Sequence, residues 1–432
     1  MNEYDSNRIK DFTKKIGYLL TTKIDEANCF VLNTCHIREK ATEKVYHEVG
    51  RVKKKFRNRE KPIVLITGCV AQAEGDLLLT KEKYIDAVVG PQSYHNINNI
   101  VLAIENKKKI KLNYTDFDVV NKFDEINLNK NTDSKVSTFL TVQEGCDKFC
   151  KFCVVPYTRG PEHSRSLNEI LNEAKQQVEN GSKEIILLGQ NVNAYRHDNK
   201  RLSDLLFALD KISGLQRIRY TTSHPKDLTQ DLIEAHGNCK KLMPILHLPV
   251  QSGSSKMLKL MNRNHTIEEY LGLIEKLKIK KPTIKFSSDF IIAYPGETDK
   301  DFEKTVQLMK KVKFINSYSF IFSPRPGTPA ANLKEVDSLI AKKRLANFQN
   351  ISNDIKREYR NQLVNTTVNV LFENKVKDEN KYFGRDEHFN SIIVESNKDL
   401  SRETMEVKIN KCNQNTLFGE VTSVSKKVEY AA

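Results

Sequence analysis

Between residues 137 and 322, short apolar runs alternate with longer amphipathic stretches, and this alternation restricts the chain more than any other feature. A strand, a helix and a second strand in sequence build a parallel sheet with the helix as crossover. Runs at 137–142, 184–188, 216–221, 245–248, 284–289 and 317–322 predict six strands with helices between them. Six such units fit a parallel barrel or part of one, with its chemistry at the C-terminal ends of the strands.

The same pattern precedes the barrel on a smaller scale. Strands are expected at 29–32, 63–67 and 86–89, and helices at 37–56, 71–81 and 97–105, as one small α/β domain over 1–106. Residues 107–135 open on Lys107, Lys108 and Lys109, are rich in Asn, Asp and Lys, and predict a linker. After a charged helix expected at 334–362 the period changes to two. Strands at 368–372, 391–394, 406–409 and 417–421 then predict a small antiparallel β-barrel. The expected class is α/β, with a parallel α/β domain at 1–106, a partial (β/α)6 barrel ending in the long helix at 136–362, and the small barrel at 363–428. A chain of 432 residues accommodates two or three domains.

The formal net charge of +15 favours a polyanionic partner such as nucleic acid, although a generally basic surface gives the same number. No stretch approaches the ~20 apolar residues that span a bilayer. The N-terminus carries Glu3 and Asp5 and is not a signal peptide. The expected compartment is the cytoplasm, with no membrane partner. Eight cysteines are too sparse for a disulfide scaffold in so long a chain, so their spacing is read for metal binding or catalysis.

Cys146, Cys150 and Cys153 have the spacing C-x3-C-x2-C just after the first barrel strand. Three thiolates so close in one loop can reach one 4Fe-4S cluster, which normally takes four, and one iron is left open. A zinc site missing a ligand is the competing reading, but zinc usually takes C-x2-C pairs with a second pair nearby. Cys35 and Cys69 each follow a predicted strand of the first domain and face the carboxyl edge of its sheet, where ligands collect. Each alone is more often a small buried apolar residue.

The cysteine loop on the first strand of a six-unit barrel resembles the radical S-adenosylmethionine superfamily. In that superfamily the open iron holds S-adenosylmethionine, which an electron from the cluster cleaves to methionine and a 5′-deoxyadenosyl radical. Asn33-Thr34-Cys35-His36-Ile37-Arg38-Glu39-Lys40-Ala41 and Thr67-Gly68-Cys69-Val70-Ala71-Gln72 resemble the N-terminal domain of its methylthiotransferases. Val155-Pro156-Tyr157-Thr158-Arg159-Gly160, Ser164-Arg165-Ser166, Tyr220-Thr221-Thr222-Ser223-His224-Pro225, His247-Leu248-Pro249-Val250-Gln251-Ser252-Gly253 and Ser323-Pro324-Arg325-Pro326-Gly327-Thr328-Pro329-Ala330 resemble the branch that acts on tRNA. Ile-Arg-Glu-Lys-Ala after Cys35 favours the isopentenyladenosine enzymes over relatives acting on threonylcarbamoyl-adenosine or a ribosomal protein.

The resemblance implies a second, auxiliary 4Fe-4S cluster that takes part in sulfur delivery, held by three cysteines. Cys35 and Cys69 match two of them. The third stands two residues before the methionine corresponding to Met1, and is expected outside this chain with the strand that precedes it. The implied reaction uses two S-adenosylmethionines to place a methylthio group on C2 of N6-isopentenyladenosine at tRNA position 37. The implied partners are tRNA, an electron donor and a sulfur source that the sequence does not name; the chain is expected to be monomeric. The alternatives are a methylthiotransferase for a ribosomal protein, or a metal-containing RNA-binding protein without activity.

For S-adenosylmethionine the expected contacts are Gly189, Gln190 and Asn191 at the second strand end, Gln251, and Pro295, Gly296 and Glu297 in a turn between strand and helix. His224 and His247 lie near strand ends too, although a lone histidine is more often structural. No residue is assigned as general acid or base. Cys29, Cys239 and Cys412 read as structural. The basic run 51–59 closes a helix, as a solvated end or a phosphate contact. The C-terminal barrel resembles the RNA-binding TRAM domain, and Tyr382, Phe383, Arg385, His388 and Phe389 suit stacking on unpaired bases.

Overall fold

The computed structural model describes residues 1–35, 40–108, 112–116 and 135–423. Contacts divide the chain into two compact units. The first is Met1–Leu128 with Gln143–Arg165 and Ser323–Leu333; the second is Asn129–Val142, Ser166–Phe322 and Lys334–Ala432.

The first unit is a parallel sheet with helices on both faces. Its strands are β1 (Cys29–Thr34), β2 (Ile63–Gly68), β3 (Ala87–Val89) and β4 (Asn113–Tyr114), paired in that order. Helices α1 (Asn2–Lys15), α2 (Lys40–Lys55), α3 (Cys69–Glu74), α4 (Asp76–Lys81) and α5 (Ile97–Glu105) cover it. Helix α2 buries Val45, Val49 and Val52 at helical spacing against Val64 and Ile66 of β2. The alternate residue, Leu65, meets Ile9 and Phe12 of α1 and Ile97, Ile100 and Val101 of α5.

Two local expectations change. The helix expected at 71–81 is two helices broken at Gly75, whose φ is +45°. The stretch expected as linker supplies β4, because Asn113 and Tyr114 pair with Val88 and Val89. The start of the helix expected at 37–56 and most of the linker lie outside the described residues.

The second unit holds six parallel strands: β5 (Ser137–Thr141), β6 (Glu184–Leu188), β7 (Arg217–Tyr220), β8 (Ile245–His247), β9 (Lys285–Ile292) and β10 (Asn316–Ile321). They form the sheets β7-β6-β5 and β8-β9-β10, joined by the bridge Ile218–Leu242. One side of every strand, including Leu140, Ile185, Leu187, Ile218, Leu246, Phe286 and Phe290, enters the core under the helices. The opposite side faces the barrel interior. Ser287 and Asp289 stand there, as do Arg217, Arg219 and Glu184. The long helix runs Ser338–Leu363, started by Asp337, whose carboxylate accepts the N–H groups of Leu339 and Ile340.

The chain then closes a five-stranded barrel of Thr367–Lys375, Lys381–Arg385, Ser391–Glu395, Thr404–Cys412 and Thr416–Ser423. It is not purely antiparallel, since Ser391–Glu395 pairs parallel with Thr416–Ser423. Lys381–Arg385 is a strand that alternation did not reveal. It takes Tyr382 out of the stacking surface expected there, while Phe389 stays 41% exposed. Tyr382 is buried in the small barrel's core. His388 Nε2 lies 2.9 Å from Thr283 O. Phe389 lies between guanidinium groups, 4.8 Å from Arg219 and 4.6 Å from Arg385. Arg219 donates to the carbonyls of Asp386 and Glu387, both at 2.8 Å, and to Glu184 at 2.7 Å. Arg217 donates to the carbonyls of Arg385 and Asn369. The turn at 386–389 is thereby seated on the strand starts and closes the floor of the large barrel.

Candidate functional site

The first unit brings the five candidate cysteine ligands into two neighbouring places. Thr34 pairs with Gly68 across β1 and β2, so Cys35 and Cys69 leave adjacent strands at the same level, about 5 Å apart along the sheet. Gly68 takes φ +90°, and a Cβ there would lie 2.2 Å from Thr34 O, so only glycine lets the strands meet this closely. Thr34 Oγ1 donates to Thr67 O at 2.5 Å and accepts from Val70 N–H at 3.3 Å, tying the two strand ends together.

Cys146, Cys150 and Cys153 occupy the next loop. Its base is a short ladder of Gln143–Glu144 with His163–Ser164. Cys146 N–H donates to Gly160 O at 3.1 Å, and Cys153 N–H to Cys150 O at 2.9 Å. Gly145 takes φ +75°, and a Cβ there would stand 1.8 Å from Pro161 O. Ala330 N–H donates to Lys151 O at 3.0 Å, so the Pro-Gly-Thr-Pro segment braces the loop from outside. Burial pushes the Cys146 thiol up to about 12, eased by the Lys148 N–H and reinforced by Cys153 and Cys150. None of the eight cysteines is in a disulfide. Three thiols on one backbone-braced loop fit the donor set of a 4Fe-4S cluster, and binding releases their protons.

A charged node joins the two places. Helix Val155–Arg159, which follows Cys153, packs on α3, which begins at Cys69. Arg159 is buried and donates to Asp5 of α1 at 2.9 Å, with Glu144 at 3.8 Å. Its carbonyl accepts from Gln92 Nε2 at 2.9 Å. Cys69 and Tyr94 are within its electrostatic reach. The α-amino group of Met1 lies in the same field, near Asp5, Arg159, Glu144 and Cys35, and burial lowers its pKa. Sequence reasoning assigned no role to Arg159, Asp5 or Glu144. The only signal was a charged residue in each of two motifs, far apart in the chain.

The remaining candidates stand at strand ends of the second unit. Gly189, Gln190 and Asn191 follow β6, and Asn191 Nδ2 donates to Asp227 at 2.7 Å. Gln251 follows β8 and has φ +75°; its N–H meets Asp289 O and its carbonyl accepts from Ile291 N–H. Thr222 after β7 and Ala293 after β9 also have positive φ, 62° and 58°. Three successive strand ends therefore carry left-handed non-glycine backbone, a costly conformation that collects at functional sites. Pro295 and Gly296 form a tight turn closed by Glu297 N–H to Tyr294 O at 2.9 Å, with φ +85° at Gly296. The Glu297 carboxylate has partners within the protein. It accepts from Ala293 N–H at 3.0 Å and from Arg344 at 2.9 Å, and locks the turn to the long helix.

His224 is buried: its backbone exchanges two hydrogen bonds with the Asn193 side chain, and its Nδ1 accepts from Lys226 N–H. His247 faces the barrel interior, with Nδ1 2.9 Å from Ser287 Oγ and Nε2 3.5 Å from Asp289. Cys29 packs in the core under α1, and burial pushes its thiol up to about 12. Cys239 is wholly buried, and Cys412 Sγ donates to Asn361. In the basic run, Arg51, Lys53 and Lys55 pair with Glu48, Glu82 and Asp25, as a solvated helix end does. Among the described residues no helix is long and apolar enough to cross a membrane.

Residues 140–309 match the radical SAM superfamily, and residues 1–90 match the family described as uncharacterized protein family UPF0004. The chain is 59% identical over 434 residues to the tRNA-2-methylthio-N(6)-dimethylallyladenosine synthase of Pelagibacter ubique (strain HTCC1062), spanning 99% of this chain and 96% of the relative. It is 46% identical over 427 residues to the enzyme of that name from Wolbachia pipientis subsp. Culex pipiens, spanning 97% of each. The Rickettsia akari relative of the same name is 46% identical over 434 residues, spanning 98% of this chain and 97% of the relative. In fold, the chain resembles the radical S-adenosylmethionine methyltransferase TsrM from Kitasatospora setae, with a TM-score of 0.59 at 10% identity over 77% of this chain and 71% of that one. Strand order, cysteine loop and full-length identity agree: the chain belongs to the radical S-adenosylmethionine methylthiotransferases, in the tRNA-2-methylthio-N(6)-dimethylallyladenosine synthase family.

Proposed function

We propose that this enzyme places a methylthio group on C2 of N6-isopentenyladenosine beside the tRNA anticodon. The observation that carries this reading is the packing of the Cys69 helix on the helix after Cys153, within one compact unit. A radical enzyme with one cluster needs only the Cys146, Cys150 and Cys153 loop. Two further strand-end thiols beside it support a reading in which sulfur is delivered as well.

In this reading Cys146, Cys150 and Cys153 hold the 4Fe-4S cluster, and Cys35 and Cys69 hold two corners of an auxiliary one. When bound, the first supplies the electron that cleaves S-adenosylmethionine, because the C2–H of adenine is too weakly acidic for an ordinary base. The protein orients and shields. Gly189, Gln190, Asn191, Gln251, Pro295 and Gly296 offer backbone and amide groups to the cofactor at the barrel mouth, with Glu297 fixing the turn. Arg159 offsets the buried carboxylates Asp5 and Glu144 beside the thiolates. The basic net charge of +15 suits tRNA as partner.

Anaerobic reconstitution with S-adenosylmethionine, sulfide, a reductant and isopentenylated tRNA tests the reading. The expected result is methylthio-isopentenyladenosine after nuclease digestion and mass spectrometry. Absence of that nucleoside, with methylthiolation of a ribosomal protein instead, overturns it.

A further inference from the structure

The turn at 294–297 is held from outside its own strand and helix. Ala293, which opens it, has φ +58°, a region that a residue with a side chain seldom enters, and Gly296 has φ +85°. The Ala293 N–H donates to the Glu297 carboxylate at 3.0 Å, and the Glu297 side chain is only 1% exposed. Burial pushes the Glu297 carboxyl up to about 7, opposed by the Ala293 N–H and by Arg344. A carboxylate so deeply buried needs a counter-charge. Arg344 of the long helix, itself buried, supplies it. Its Nη1 donates to the Glu297 carboxylate at 2.9 Å and to the Glu297 carbonyl at 3.1 Å, and its Nη2 donates to Asp299 at 2.7 Å. The guanidinium also lies 5.8 Å from the Phe302 ring. Four positions on, along the same helix face, Phe348 is wholly buried and sets its ring 4.7 Å from Phe290 of β9. Phe290 stands three residues before Ala293. This aromatic pair seats the helix on β9 and brings Arg344 to the turn.

Resting on the function proposed above, in which this turn meets S-adenosylmethionine, we propose that Arg344 is a positioning residue for the cofactor site. It acts through Glu297 and not on the cofactor. Arg344 keeps the carboxylate charged and in place. The carboxylate keeps the Ala293 N–H satisfied, and that bond holds the left-handed backbone from which Tyr294, Pro295 and Gly296 offer their main-chain groups. Arginine suits the task because one planar fork serves Glu297 and Asp299 together, whereas an ammonium group is a single point charge. The cofactor site thereby extends beyond the six strand–helix units, to a helix that follows the last barrel strand.

The test is equilibrium dialysis of S-adenosylmethionine against the full chain, reconstituted anaerobically, at about pH 8, where Glu297 is charged. Iron is measured on each variant. Arg344→Gln is expected to weaken S-adenosylmethionine about tenfold, the lower end of what loss of an outer partner costs a site. Arg344→Lys keeps the charge and recovers part of the loss. Glu297→Ala is expected to cost about the same tenfold, and the double variant no more than either alone, because one residue works through the other. Iron content is expected to hold in all of them, since the cysteine loop belongs to the other compact unit. In 5′-deoxyadenosine formation the loss is expected in KM, with kcat near that of wild type. Losses that multiply to about a hundredfold in the double variant overturn the proposal. So does normal binding by a folded Arg344→Gln chain. If that variant does not fold, Arg344→Lys, which keeps the buried charge, takes its place, and normal binding by it overturns the proposal equally. Gly296→Val strains the turn directly, because φ +85° favours glycine. Weakened binding there, with normal binding in the Arg344 variants, overturns the positioning role alone. Normal binding by Gly296→Val removes the turn from the cofactor site and overturns the reading on which the role rests.

Discussion

Arg159 donates to Asp5 across 2.9 Å, and the two side chains are 3% and 1% exposed. They are 154 residues apart in the chain. One belongs to the helix after the C-x3-C-x2-C loop, the other to the first helix of the parallel sheet. Glu144, wholly buried, completes the node. Breaking one partner of a buried ion pair leaves uncompensated charge in a poor dielectric, which costs far more than the pair contributes.

Arg159→Met is therefore expected to destabilise the protein by about 3–5 kcal/mol. It also leaves two carboxylates facing the thiolates, so iron and sulfide per chain fall. Arg159→Lys keeps the charge but cannot serve both carboxylates, and recovers part of each. Thermal unfolding with iron analysis of the purified variants checks both effects.

Cys150→Ala removes one of three thiolates and should cost about four irons per chain, together with reductive cleavage of S-adenosylmethionine. Cys239→Ala removes a wholly buried thiol from the barrel core. It is expected to keep all its iron and lose about 1 kcal/mol of stability. Iron and acid-labile sulfide assays separate the two outcomes.

His236 predicts a loss of stability in acid. It is buried, its Nε2 lies 2.7 Å from Tyr220 Oη, and desolvation lowers its pKa from 6.5 to about 3. Below pH 6.5 the unfolded chain takes up a proton that the folded chain refuses. Stability from this group is full above pH 6.5 and falls by about 1.4 kcal/mol per pH unit as pH drops toward 3. Urea unfolding between pH 7 and 5 should show the slope, and His236→Gln should flatten it.

Arg219→Met should unseat the small barrel. It strips Glu184 of its partner and the carbonyls of Asp386 and Glu387 of their donor. A loss of about 3–5 kcal/mol is expected, with limited proteolysis cutting near 386–389 earlier than in wild type.

Local pattern determined much of this protein. The alternation of apolar runs and helices was enough for six parallel strands, because strand and helix periods are properties of a few consecutive residues. The cysteine loop was legible for the same reason, since its three ligands lie within eight positions. The short strands 113–114 and 381–385 escaped because neither alternates apolar and polar residues strongly, and pairing with neighbours defines them instead. Tertiary structure alone decided that Phe389 and His388 seat on the large barrel, although their aromatic and basic pattern suggested a surface for bases. It also decided that Asp5, Glu144 and Arg159 meet. A charged residue carries no local mark of its partner; only burial, which makes an unpaired charge too costly to keep, selects the contact.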